Sequence, residues 1–382
     1  MNDLGQILSL WRELQNAGTD YVLATVIAVE GSSYRKPGAC MLLAQDGRRA
    51  GTVSGGCLEA EVNRRAWWLT SSGPVVERYS TQEEDDERPY GSGCGGVIYL
   101  LLERAETAGR LLQQLDRAFY ERVPVAVATV LDGSHLGSRR TVGDRNAEQQ
   151  IDGCHSSDAL AIELERLAQE ALEQRSTFER TLALESGPTR VMADYRSARP
   201  GLWIFGAGDD AKPLAQFAQS LGWFVAIADG RSHLATRDRF PAADEVRVLP
   251  ICDLPTAAPQ HFALRPTDAA VVMTHSYDQD ARILSSLFVS QPLPAYMGVL
   301  GPQRRTRELL GEAARLLGIS SATSQAEKWL EYLRAPTGLD LGADTPATIA
   351  LSIIAEIQQV LTAATAQPLR TVRASREVAA GY

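Results

Sequence analysis

The stretch Leu202-Trp203-Ile204-Phe205-Gly206-Ala207-Gly208-Asp209-Asp210-Ala211 decides the architecture of the C-terminal half. Four apolar residues read as a short buried strand and the glycines as a tight turn, while Ala211, Leu214, Ala215, Ala218 and Leu221 recur at helical spacing beyond it. Strand, G-x-G-x-x-A turn and helix in that order form the dinucleotide-type fingerprint of a Rossmann-like fold. In it Gly206 makes the turn, Gly208 lets a phosphate approach the backbone, and Ala211 is small enough for close helix–strand packing. Gly206, Ala207 and Gly208 are therefore candidate cofactor-binding residues. A second strand, Phe224 to Ala228, runs into Asp229, 21 positions after Gly208, where an acid bonds a ribose hydroxyl. Arg231, two positions on, suits a 2′-phosphate or a surface loop, so NAD and NADP both stay open. Asp209 and Asp210 argue against occupancy, because acids that suit a bare helix start repel a bound anion.

Further strands, Ala269 to Thr274 and Ala295 to Leu300, are separated by helix-length segments, and that alternation implies a parallel sheet covered by helices. Thr274 and His275 close one of these strands at the end that faces the ligand crevice, so both are candidate site residues, with capping or a loop position as the alternative for His275. Pro346 fits the first turn of a last helix whose Ala350, Ile353, Ile354, Ile357 and Leu361 pack on the sheet or across a dimer interface. Upstream, the composition of Ser186 to Arg199 reads as an interdomain connection. The expected division is an N-terminal domain over 1–195, the Rossmann-like domain over 200–365, and a tail over 366–382.

The N-terminal domain reads as mixed α+β. Leu4, Ile7, Leu8, Trp11 and Leu14 mark a helix, Tyr21 to Val29 and Cys40 to Ala44 are strands, and Leu58 to Leu69 turns helical again. An acidic run, Gln82 to Glu87, reads as a solvated loop. The strand-like Val123 to Leu131 echoes Tyr21 to Val29, with Ala128-Thr129-Val130 matching Ala24-Thr25-Val26 and Asp152-Gly153-Cys154 echoing Gly55-Gly56-Cys57. Residues 20–104 and 123–185 thus read as a degenerate duplication or as a chance likeness. The fold class is α/β: a mixed α+β domain with glycine–cysteine loops, followed by a parallel-sheet domain.

Two segments place a cysteine among glycines: Gly51-Thr52-Val53-Ser54-Gly55-Gly56-Cys57-Leu58-Glu59 and Gly91-Ser92-Gly93-Cys94-Gly95-Gly96. Cys57 sits just before a helix, where backbone N–H groups favour a thiolate able to ligate a soft metal, carry sulfur or act as a nucleophile. Glu59 stands close by, and Arg35 and Lys36 suit anionic oxygens. The alternative for each cysteine is a small buried residue beside a turn.

With 38 Lys+Arg against 47 Asp+Glu, the 382-residue chain carries a net charge of −9, which opposes nucleic-acid binding. The 45% hydrophobic fraction supports packed cores. Five unpaired cysteines and a start without a basic, apolar leader suggest the cytoplasm, and no apolar run is long enough to predict a membrane span. No Cys/His spacing predicts a structural metal. Cys40, Cys154 and Cys252 are expected to pack inside.

The segments VEGSSYRKPGACML (29–42), GTVSGGCLEAEV (51–62) and GSGCGGVIYLLLE (91–103) resemble the N-terminal motifs of the xanthine dehydrogenase accessory factor family, the XdhC/CoxI-like proteins. IFGAGDDAKPLAQFAQSLGWFVAIADGR, VVMTHSYDQD, YMGVLGPQRRT and LRAPTGLDLGADTPATIALSIIAEI resemble its C-terminal Rossmann-like part. The resemblance implies an accessory protein, a chaperone more than a catalyst. Such a protein binds molybdenum cofactor, in its molybdopterin or dinucleotide form, while a cysteine desulfurase supports its sulfuration, and delivers it to an apo molybdenum hydroxylase of the xanthine dehydrogenase type. It places Cys57, Gly55, Gly56 and Glu59 first in the cofactor site, with Cys57 as a molybdenum or sulfur ligand, then Arg35 and Cys94. A homo-oligomer, a dimer, is the expected assembly. Asp209 stands where members of the family carry a histidine, which puts any shared ligand role there in doubt. The competing readings are an NAD(P)-binding oxidoreductase using the Rossmann-like half, and a scaffold with a vestigial site.

Overall fold

The computed structural model describes residues 2–31, 33–56, 58–80, 96–143, 159–184, 187–254, 262–290, 292–320 and 322–372. The chain divides into two compact units, Met1–Arg199 and Pro200–Tyr382. Of the sequence expectations, the acidic run 82–87 and Cys57, Cys94 and Cys154 lie outside the described residues.

Unit 1 opens with α1 (Asn2–Ala17), β1 (Tyr21–Glu30), β2 (Cys40–Ala44), β3 (Arg49–Gly51), α2 (Glu59–Leu69), β4 (Val75–Ser80) and β5 (Val97–Arg104). It continues with α3 (Ala105–Glu121), β6 (Val125–Val130), β7 (Arg139–Gly143), α4 (Ala159–Gln174), β8 (Phe178–Leu184) and β9 (Gly187–Arg196). β1 is buried over most of its length because helices and loops cover both sheet faces: Leu23 joins Ile7, Leu8 and Leu14 of α1, whereas Val22 and Ala24 join Val62 and Ala66 of α2. The first antiparallel sheet has the order β3-β2-β1-β5-β4 and the second β7-β6-β9-β8. Their registers correspond. Thr25 lies opposite Cys40 and Leu101, and Thr129 opposite Arg139 and Met192, while Glu103 and Asp194 face Leu23 and Val127. Glu103 and Arg139 form a buried ion pair at 2.5 Å and, with Thr25, Thr129, Asp194 and Arg196, line a small internal cavity. Residues 187–196, read from composition as part of a connection, are strand: Val191 and Ala193 point into a core that composition does not reveal.

Unit 2 is built on β10 (Gly201–Phe205), β11 (Phe224–Asp229), β12 (Glu245–Val248), β13 (Ala269–Val272) and β14 (Tyr296–Val299). They form a parallel sheet in the order β12-β11-β10-β13-β14. The α-helices among the described residues include α5 (Ala211–Ser220), α6 (Tyr277–Val289), α7 (Gln303–Leu316), α8 (Ala322–Leu330) and α9 (Pro346–Thr362). Side chains alternate across the strands and divide the core in two. Leu202, Ile204, Val225 and Ile227 pack with Leu214 of α5 and Ile353, Ile354 and Ile357 of α9. Trp203, Phe205, Ala226 and Ala228 face Ile283 and Leu284 of α6 and Leu309 and Leu310 of α7. Each buried Ile or Leu contributes about 1.5–3 kcal/mol of transfer free energy. The apolar stripe of α9 is thus used within the unit, and Thr345 with Thr348 closes a capping box ahead of Pro346. β12 escapes sequence reading because Glu-Val-Arg-Val carries little apolar content. Cys40 is buried as expected, but Cys252 is exposed, since it falls in a short 3₁₀ turn outside the core. Among the described residues no helix is long and apolar enough to cross a membrane.

Candidate functional site

Two glycine turns carry the predicted site residues. In unit 1 the loop from Gly51 to Leu58 leads into α2, and a buried carboxylate holds it. Glu59, 1% exposed, accepts hydrogen bonds from the N–H groups of Val53 and Ser54 at 3.2 and 2.9 Å and from the Ser54 hydroxyl at 2.7 Å. The Ser54 oxygen in turn accepts from the N–H groups of Gly56 and Leu58. Burial works to raise the Glu59 pKa, but the Ser54 hydroxyl and the backbone N–H groups of Ser54, Glu59 and Val53 outweigh it and hold the carboxyl below its usual range. Glu59 therefore braces the loop from within. Gly56 has φ +115°, a conformation that favours glycine, and a Cβ on Gly55 would lie 3.3 Å from the ring of the exposed Tyr34. Arg35 pairs with Asp3 at 2.9 Å and is one-third exposed. Tyr34 and Ser54 were not anticipated; a hydroxyl five positions before an acid is too common a pattern to signal a loop brace.

In unit 2 the fingerprint turn forms as read. Gly206 has φ +131°, and a Cβ there would lie 2.5 Å from the carbonyl oxygen of Met273. Gly208, by contrast, opens on free space. Asp229 is fully buried. Its Oδ2 accepts from the N–H of Ala207 and from Nη2 of Arg231, both at 2.7 Å, and its Oδ1 accepts from the N–H and Nε of Arg231 at 2.8 and 3.0 Å. A carboxylate has about four lone-pair sites. All are engaged here, and Asp229 ties the turn to Arg231. Burial again works to raise its pKa, and the Arg231 guanidinium, with the N–H groups of Arg231 and Ala207, lowers it overall.

Thr274 is also buried. Its hydroxyl donates to Asp280 at 2.6 Å, its N–H reaches the same oxygen, and its carbonyl accepts from Arg231 Nη2 at 3.0 Å. The other oxygen of Asp280 accepts from Arg305 at 2.6 Å. His275 has φ +61°, uncommon for a non-glycine residue, and its Nε2 lies 3.3 Å from Asp210. Asp209 is exposed and paired with Lys212 and Arg239. Asp280, Arg305 and Arg239 are site residues that sequence reasoning passed over, although the first two lie within the segments VVMTHSYDQD and YMGVLGPQRRT.

These contacts leave NAD(P) no open N–H at Gly206 or Ala207. The N–H groups of Gly206 and Ala207 already donate to Ala228 and Asp229, the ribose acceptor is saturated, and two acids precede α5. Nor is there, among the described residues, a group of three or more His, Cys, Asp and Glu side chains able to hold a metal ion.

Comparison with known proteins agrees with this architecture. Residues 202–357 match the XdhC Rossmann domain and residues 14–80 match the XdhC and CoxI family. A Bacillus subtilis protein named as a probable xanthine dehydrogenase subunit is 33% identical over 340 residues, covering 88% of this chain and 92% of that protein. The molybdenum cofactor insertion chaperone PaoD of Escherichia coli is 27% identical over 376 residues, covering 94% of this chain and 89% of its own. A crystal structure described as a xanthine dehydrogenase from Bacillus halodurans superposes with a TM-score of 0.70 at 29% identity, over 95% of this chain and 98% of that one. With both family models matched in order and a relative of this identity covered almost end to end, the chain belongs to the XdhC and CoxI family.

Proposed function

We propose that the chain is an accessory protein that binds molybdenum cofactor, supports its sulfuration with a cysteine desulfurase, and delivers it to an apo hydroxylase of the xanthine dehydrogenase type in the cytoplasm. The observation that carries this reading is the near full-length relationship to a protein named as a molybdenum cofactor insertion chaperone. The geometry supports it in two ways. The loop ahead of α2 is held by Glu59 and Ser54 from beneath, which leaves Gly55, Gly56 and the adjoining Cys57 as the segment to meet the cofactor, with Arg35 and Cys94 as further contacts. The carboxyl edge of the unit 2 sheet holds Arg231 and His275 beside a turn whose Gly206 and Ala207 N–H groups are already taken, which speaks against the oxidoreductase reading. The matching strand orders β2-β1-β5-β4 and β7-β6-β9-β8 support the reading of unit 1 as a degenerate duplication in which the first copy keeps the site.

The test is a titration of the purified protein with molybdenum cofactor, followed by transfer to apo hydroxylase. About one equivalent bound per chain and activation of the hydroxylase are expected. Cys57→Ala is expected to weaken binding or to yield hydroxylase lacking its sulfido ligand. Unchanged binding and unchanged activation remove Cys57 from the site, and absence of binding overturns the carrier reading.

A further inference from the structure

We propose that the carboxyl edge of the unit 2 sheet binds phosphoryl oxygens through Arg231 and Arg305, on the side where α6 and α7 begin, and not through the glycine turn at the start of α5. The two sides of this edge differ in which charge is exposed: on the α5 side Asp209, 80% exposed, stands outermost over Lys212 and Arg239, whereas on the other side the acids Asp229 and Asp280 are buried and the arginines reach outward. At the α5 side stand Asp209 and Asp210, and the backbone N–H groups of Gly206 and Ala207 already have acceptors. At the other side two guanidinium groups flank the same short connection. Arg231 donates to the carbonyl of Thr274, and Arg305 donates to Asp280, which holds the N–H and hydroxyl of Thr274.

Each guanidinium is fixed from below by a buried carboxylate, Asp229 at 0% and Asp280 at 1% exposure, while Arg231 and Arg305 themselves are 34% and 28% exposed. Among the described residues, Arg231 keeps Nη1 and Arg305 keeps Nε and Nη1 without a hydrogen-bond partner. Anchored forks of this kind match phosphoryl oxygens and lose little side-chain entropy on binding. The sequence of α7 adds an independent sign. Its first turn contains Arg305 and no acid, and Pro302 at its N-cap supplies no side-chain acceptor. Cations at a helix start work against the helix dipole, and such a departure from local stability is expected where a charge serves binding.

The carrier reading supplies only the source of the phosphate, a pterin phosphate ester or the diphosphate of its dinucleotide form. The test needs no molybdenum. Calorimetric titration of the full chain with inorganic pyrophosphate and with orthophosphate at low ionic strength is expected to show saturable binding of at least one of them. Arg305→Gln and Arg231→Lys, the latter keeping the charge over Asp229 but losing the fork, are expected to weaken it about tenfold or more each. Gly208→Val, which adds side chain in open space on the glycine turn, and Arg304→Gln are expected to leave it unchanged, and thermal unfolding verifies that each variant is folded. Pyrophosphate bound more than about tenfold tighter than orthophosphate assigns the site to a diphosphate, and equal affinities assign it to a monoester. No saturable binding of either, unchanged affinity in both folded arginine variants, or loss in Gly208→Val overturns the proposal. Pyrophosphate binding without cofactor binding overturns the carrier reading alone, and cofactor binding unaltered by Arg305→Gln overturns the arginine site alone.

Discussion

The turn ahead of α2 and the turn ahead of α5 are both glycine-rich, and each is held by a buried acid, but the acids hold different things. Among the described residues Glu59 accepts only backbone N–H groups and a hydroxyl, so its charge stays within the loop, whose exposed part is the backbone of Gly55 and Gly56. Asp229 accepts one turn N–H and a whole guanidinium, so its negative charge is matched and the outer edge of Arg231 reaches the surface. The first arrangement shapes a loop; the second positions a cation. The same motif logic therefore yields two kinds of binding surface, a difference set by one arginine two residues beyond the acid.

The contrast is broken most directly at its unit 1 end. Glu59→Ala leaves the Val53 and Ser54 N–H groups and the Ser54 hydroxyl buried without their acceptor, and a loss of about 3–4 kcal/mol is expected by chemical denaturation. A loss under about 1 kcal/mol would show that the loop is held without Glu59. Asp229→Asn keeps the shape but strips the charge from beneath Arg231, for an expected loss of about 2–3 kcal/mol.

Both acids also predict an acid-limb dependence. Their folded pKa values lie below the unfolded ones. Their contribution is thus complete above the unfolded values of about 4 and is lost as pH falls through the lower folded values. Stability measured from pH 6 downward is expected to decline less steeply in Asp229→Asn than in the unaltered chain, and parallel curves would remove Asp229 from the account.

The glycines sharpen the contrast at smaller scale. Gly206→Ala meets the Met273 carbonyl at 2.5 Å in a left-handed backbone conformation, and a loss of about 2 kcal/mol in thermal unfolding is expected. Gly208→Ala meets nothing within 4 Å. Its effect is expected to stay under about 0.5 kcal/mol, and a larger loss would show that its lack of a side chain serves the fold.

Much of unit 2 was legible because its signals are local. Leu202 to Phe205 followed at once by Gly206 and Gly208 restricts the backbone to a strand and a tight turn, and Ala350, Ile353, Ile354 and Ile357 fall on one face of a single helix. Unit 1 was legible in its central strands, Tyr21 to Val29 and Val123 to Leu131, whose apolar runs need no distant partner to be recognised. Its edge strands and β9 were not, because Val191 and Ala193 are recognised as core only once β6 lies beside them.

Residue type and spacing alone determined the parallel-sheet class, the glycine turns and the candidate loop around Cys57, while the family entered through the resemblance of whole motifs. Only the tertiary structure decided what Glu59, Asp229 and Thr274 do. A carboxylate or hydroxyl has the same composition whether its lone pairs face a ligand or are filled by neighbours, and those neighbours arrive from Ala207, 22 positions before Asp229, and from Arg305, 25 positions beyond Asp280. Pattern along a chain encodes conformation. The saturation of a polar group depends on which distant donors folding brings within about 3 Å of it.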